Sequence, residues 1–169
     1  MFTFAVGAKV VHPCYGAGTI VRITEKSIGD TQHAYYIIST VSRPMELMVP
    51  VARAAEVQLR PVGEAGELRE QLTVCTEPPP GEALDLDLRQ RQTSMRDQLK
   101  SGSFVEVATM ARTLFFLNAR RPLGTVDRQL LDQGRDFLAG ELALAAGQEI
   151  DEAMQTVQQH LAMMLSTGE

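Results

Sequence analysis

Over residues 1–63 apolar and polar positions alternate with a period of two. Ala8–His12, Thr19–Glu25, Ala34–Thr40 and Glu46–Val49 are rich in Val, Ile, Thr and Tyr, the pattern of half-buried strands. Pro13 with Gly16 and Gly18, then Gly29-Asp30, then Pro44 separate them as turns. Gln58–Arg60 adds a short fifth strand before Pro61. Strands this short and closely spaced predict a small, strongly bent β-barrel of the SH3 or Tudor kind.

After Pro61-Val62-Gly63 the period lengthens to that of helices. Glu64–Val74 reads as a short helix, and Glu77-Pro78-Pro79-Pro80-Gly81 as a break that neither a helix nor a central strand crosses. Leu84, Leu88, Met95 and Leu99 then share one helical face. Gly102 stops that helix, and Ser103 with Glu106 forms a capping box for the next, which carries Val107, Ala108, Ala111, Leu114 and Phe115 inward. Thr125 caps a third helix with Leu131, Gly134, Leu138 and Leu142 in register, closed by Gly147. Ile150, Met154, Val157, Leu161 and Leu165 line one side of a last helix whose acidic start, Glu149, Asp151 and Glu152, suits the helix dipole. The expected organisation is α+β in two domains: a barrel over 1–63, a short helix and Pro-rich linker over 64–81, and a compact all-α domain over 82–169.

Charge narrows the function. The net charge of −5 argues against a strong nonspecific DNA binder, which needs a basic stripe to release counterions from several phosphates. The balance is uneven: +2 over 1–63, −3 over 64–80, +1 over 81–140 and −5 over 141–169. Arg89, Arg96 and Lys100 fall on one helical face, and Arg120-Arg121 in a turn. Such a chain makes few phosphate contacts, so any DNA affinity of its own is weak. No apolar run suits a membrane helix and the N-terminus lacks the layout of a signal peptide. Cys14 and Cys75 make no disulfide framework, and a reducing cytoplasm is the expected setting.

Catalytic patterns are thin. No Walker loop, GxSxG or HExxH occurs. His12 and Cys14 are spaced to share one side of a strand, as a metal site would start, but zinc needs three or four ligands and no CxxC or HxxxH partner is present. His33 and His160 stand alone, and Asp85 with Asp87 sit where a helix start favours acids. No cofactor, metal, membrane or small-molecule substrate is expected. A small metal-dependent enzyme using His12, Cys14 or His33 is the alternative from another class. Residue types alone reach a two-domain binding protein.

The residues in order say more. Phe4-Ala5-Val6-Gly7-Ala8-Lys9-Val10-Val11-His12-Pro13, then Gly16, Gly18 and Ile20, then Tyr35-Tyr36-Ile37-Ile38, Met48-Val49-Pro50 and Leu59-Arg60-Pro61-Val62 resemble the opening of the CarD/CdnL family of bacterial RNA polymerase-binding transcription regulators. That opening is shared with the polymerase-interaction domain of transcription-repair coupling factors. Lys100-Ser101-Gly102, Val107-Ala108, Arg112-Thr113-Leu114, Leu123, Leu131 and Leu138-Ala139-Gly140-Glu141-Leu142-Ala143-Leu144 continue the likeness and separate this family from the coupling factors, which run on into helicase motors. The likeness spans roughly residues 1–145.

The resemblance implies a non-enzymatic regulator. Its Tudor-like domain would bind the RNA polymerase β subunit, with Lys26, Met48 and Pro50 at the positions that touch polymerase. Its helical domain would contact promoter DNA at the upstream edge of the melted region and stabilise the open complex through the positions of Leu88, Arg89, Arg91 and Met95. The chain departs from the family at Leu88, where a tryptophan is usual; there is no Trp in the sequence. Leucine wedges into minor grooves in some architectural proteins but offers less area and no indole donor. Leu88 therefore reads either as a wedge or as core on the helical stripe, and a polymerase-bound adaptor without wedge activity is the nearer alternative.

Overall fold

Strand pairing in the N-terminal part is wholly antiparallel, as short turn-linked strands require. The computed structural model describes residues 3–166. Lys9–His12 (β1) turns through Pro13, Cys14 and Tyr15 into Gly16–Ile28 (β2), and Gly29-Asp30 returns the chain along Thr31–Thr40 (β3). Glu46–Pro50 (β4) follows, and a two-residue strand, Arg60–Pro61 (β5), pairs back onto β1. The five strands run in the order β4-β3-β2-β1-β5. Backbone pairing joins β4 and β5 to one neighbour each, so the expected barrel is met as an antiparallel sheet with an edge at either end. The second strand outlasts its expected bounds of Thr19–Glu25 because its polar end stays paired to β3 as far as Ile28↔Thr31.

The two faces of the sheet meet different cores. Val10, Ile20, Tyr36, Ile38, Val49 and Leu59 cluster on one side with Phe4, whose backbone N–H donates to the Tyr36 hydroxyl at 3.0 Å. On the other side Val11 and Ala17 join the helical core.

That core is built from Ala65–Leu72 (α1), Gly81–Leu84 (α2), Leu88–Lys100 (α3), Phe104–Arg120 (α4), Thr125–Ala146 (α5) and Ile150–Ser166 (α6). Leu68, Leu72 and Cys75 are buried in it, so residues 64–81 are part of the helical layer and not a free tether. Ser103 caps α4 through the Glu106 N–H and Gly147 closes α5 in the left-handed region, as expected, but the returning half of the capping box is replaced: the Ser103 N–H donates to Ser101 Oγ and the Glu106 carboxylate accepts from Gln98. Other expectations are corrected. The single stripe from Leu84 to Leu99 is broken, because Asp87 caps a new helix with its carboxylate on the Gln90 N–H. Gly124, not Thr125, is the cap of α5. Leu165 points to solvent while Met164 takes the buried position. Among the described residues no helix is long and apolar enough to cross a membrane.

Candidate functional site

Strand register brings the three residues expected at a protein interface onto one face. A bulge between Ile20 and Arg22 keeps Ile20 inward opposite Ile38 and places Arg22 opposite Ile37. From there the alternation holds: Thr24 and Pro50 both pair with Tyr35, Met48 pairs with Ile37, and Lys26 pairs with His33. Side chains directly opposite share a face, so Lys26, Met48 and Pro50 stand together on the face away from the Tyr36 cluster. Met48 is 48% exposed. Arg22 and Glu46 bridge across β3 on this same face at 2.9 Å, each about half exposed, over the buried Ile37. The Thr24 hydroxyl on this face is buried without a hydrogen-bond partner. The outer backbone edge of β4 adjoins the patch, because among the described residues β4 pairs only with β3. The arrangement offers an apolar contact, a cation and open backbone groups to another chain.

A second arrangement lies at the start of α3. The Asp87 cap leaves Leu88 as the first helical residue, 57% exposed, with Arg89 exposed beside it. This exposure excludes the core reading of Leu88. Arg91 turns inward: its guanidinium meets the Asp127 carboxylate at 2.6 Å, and Gln92 donates to the same carboxylate at 3.1 Å. Asp127 is buried in the first turn of α5, so this pair pins the start of α3 to α5. Met95 is 4% exposed and belongs to the core. Arg91 and Met95, expected at DNA, are both engaged within the chain, where they support the helix that presents Leu88 and Arg89.

Leu88 borders a groove of about 710 Å³ whose far wall carries Leu117, Arg120, Arg121 and Pro122. Arg120 lies 4.4 Å over the Phe116 ring, which orders its charge at the rim. Arg96 and Lys100 are exposed further along α3. Arg120 and Arg121 were legible in the sequence as cations at a turn but not as neighbours of Leu88, and Asp127 carried no visible role, since an aspartate near a helix start reads as a dipole feature until folding buries it.

Of the residues weighed for metal chemistry, His12 is held locally, while Cys14 and His33 are exposed. His12 Nδ1 accepts the Cys14 N–H at 3.1 Å, and its ring lies 5.0 Å from that of Tyr15. Burial holds its pKa below the ordinary value. Burial also pushes the Cys75 thiol up to about 12, with the Arg112 charge opposing it, so this thiol is inert. Among the described residues no group of three His, Cys, Asp or Glu side chains is placed to hold a metal ion.

Comparison with known proteins accords with this layout. Residues 4–63 match the CarD-like/TRCF RID domain, and residues 80–158 match the CarD C-terminal domain. The chain is also similar to YdeB of Bacillus subtilis (strain 168), a candidate transcription factor, with 28% identity over 145 residues, 85% of this chain and 93% of that protein. Both halves and their order agree, and the chain belongs to the CarD/CdnL family of transcription regulators.

Proposed function

We propose that this chain docks on the β subunit of RNA polymerase through the Lys26–Met48–Pro50 face and the β4 edge. From there it brings the start of α3 to promoter DNA and stabilises the open complex. The observation that carries the reading is the strand register, which gathers three residues from two strands onto one exposed face beside an unpaired edge. An extended segment of a partner adds to such an edge through backbone hydrogen bonds, while alternate side chains supply selectivity.

The DNA side follows from exposure and charge. Leu88 projects from a helix start flanked by Arg89, with Arg120 and Arg121 across the groove. These few cations suit a domain that borrows affinity: once the sheet is docked, the helices act at a high effective concentration near the duplex. The acidic total then poses no difficulty, because the far end of the chain carries the excess acid. A second reading, an adaptor that holds polymerase without gripping DNA, is favoured by the smaller side chain at Leu88.

Titration of the full chain against an isolated β-lobe fragment tests the docking half. Met48→Ala with Pro50→Ala should weaken binding by about tenfold, since truncating an apolar anchor at an interface centre costs on the order of 1–2 kcal/mol. Equal affinity of the double variant counts against the assigned face.

A further inference from the structure

The seam between the sheet and the helices is polar, tight and fixed at several points. Glu141, in the C-terminal third of α5, is 0% exposed. Its Oε1 accepts from Arg60 Nη2 at 2.5 Å, and its Oε2 accepts from Arg60 Nη1 at 2.8 Å and from the Gly63 N–H at 2.9 Å. Arg60 lies in β5, so one carboxylate gathers the sheet's edge strand and the chain that leaves it. The Arg60 Nε donates to the Gly102 carbonyl at 2.9 Å, just past the end of α3. The same guanidinium therefore ties β5 both to α5 and to the corner that ends the DNA-facing helix. Lys9 Nζ donates to the Leu144 carbonyl at 3.0 Å, and the Ser42 hydroxyl to the Asp136 carbonyl at 2.5 Å.

Close backbone approach limits sliding along this seam. A Cβ on Gly140 would lie 2.6 Å from Ser42 Oγ, and one on Gly102, which has φ +73°, would lie 3.2 Å from the Pro13 ring. An apolar seam of the same area would hold the two layers together equally well, since a buried ion pair seldom stabilises more than well-packed apolar side chains. What a two-pronged guanidinium–carboxylate pair adds is a fixed angle as well as a fixed distance.

We infer that Glu141 is a positioning residue: by locking Arg60 it sets the DNA-facing start of α3 at one distance and angle from the polymerase-facing sheet. This rests on the function proposed above. Glu141 touches neither partner itself. Docking through the sheet alone would deliver the helices only to a volume, whereas the lock delivers Leu88 to one place on the duplex. A tethered site that samples many poses loses the benefit of its tether.

The test uses the full chain with Cys14→Ser and spin labels at Asp30→Cys, on the β2–β3 turn, and Asp97→Cys, on α3. Wild-type Glu141 should give one narrow interlabel distance distribution. Glu141→Gln, which keeps the shape and removes the charge, should broaden it, keep β-lobe affinity within about twofold and shorten open-complex lifetime by roughly threefold or more. Should Glu141→Gln fail to fold, Arg60→Lys serves instead, because it keeps a cation at the seam but loses the paired prongs and the bond to Gly102. A broadened distribution with unchanged lifetime overturns the positioning role, and an unchanged narrow distribution overturns the lock. If the wild-type chain leaves open-complex lifetime unaltered, the proposed function falls, while the width of the distribution still decides the lock.

Discussion

His12 sits half-buried at the end of β1, its Nδ1 held by the Cys14 N–H and its ring against Tyr15. Burial disfavours the charged imidazole, so its pKa in the folded chain lies below the ordinary 6.5. The unfolded chain then takes up the proton first. Stability from this group is complete above the unfolded value and is lost as pH falls through the folded one. Urea unfolding between pH 7.5 and pH 5 should show a declining midpoint, with a smaller decline for His12→Gln; equal declines would place the titration elsewhere. Leu88 gives a second expectation. Because it is 57% exposed, Leu88→Trp should fold with a melting temperature close to wild type. It should also lengthen open-complex lifetime by returning the area and indole donor that a minor-groove wedge uses. A lifetime no longer than wild type would leave the adaptor reading in place. Single positions were only partly legible in the sequence. Met48 and Leu88 were found through resemblance, and their exposure needed the fold. Arg91 and Met95 carry the same resemblance, yet a carboxylate thirty-odd positions away along the chain (Asp127) and a helical core turn them inward. Period alone cannot say which charge will meet its partner across space.

Strands and helices were read more securely than their ends. Period-two alternation located the first four strands, and the turn residues Gly29-Asp30 marked the hairpin correctly; the fifth is shifted from the expected Gln58–Arg60 to Arg60–Pro61, because Gln58 takes a positive φ that no strand accepts. The Leu84–Leu99 stripe misled because apolar spacing continues through a stop. Asp85 and Asp87 compete for backbone donors and favour a fresh start over an unbroken helix, and the Asp87 carboxylate takes the Gln90 N–H at 2.8 Å. This cap fixes where α3 begins and hence how Leu88 is presented. Asp87→Ala should cost about 1 kcal/mol of stability in chemical denaturation and shorten open-complex lifetime beyond what that loss explains, through fraying of the first turn. A variant with full stability and unchanged lifetime would show that the cap does not position Leu88. The start of α5, by contrast, carries no side-chain cap at all. The Arg91 bond to Asp127 holds that end of α5 against α3 instead.

The molecule as a whole divides its chemistry between two ends of one body. The Lys26–Met48–Pro50 face belongs to β2 and β4, the exposed arginines to α3 and the α4–α5 turn, and the seam of Arg60, Gly63 and Glu141 lies between. This seam was legible only in hindsight: an acid inside the apolar run Leu138–Leu144 is the mark of a buried, partnered charge, but the partner is distant in sequence. Glu149, Asp151 and Glu152 place negative charge at the start of the last helix, and the chain with net charge −5 still carries exposed Arg89, Arg120 and Arg121. Amide hydrogen exchange of the full chain, alone and with core RNA polymerase, asks where the partner sits. Slowed exchange is expected in β4 and the adjoining part of β2, Lys26 included, with the amides of α6 unchanged. Protection confined to α6, or none on β4 at saturating polymerase, would contradict the proposed docking.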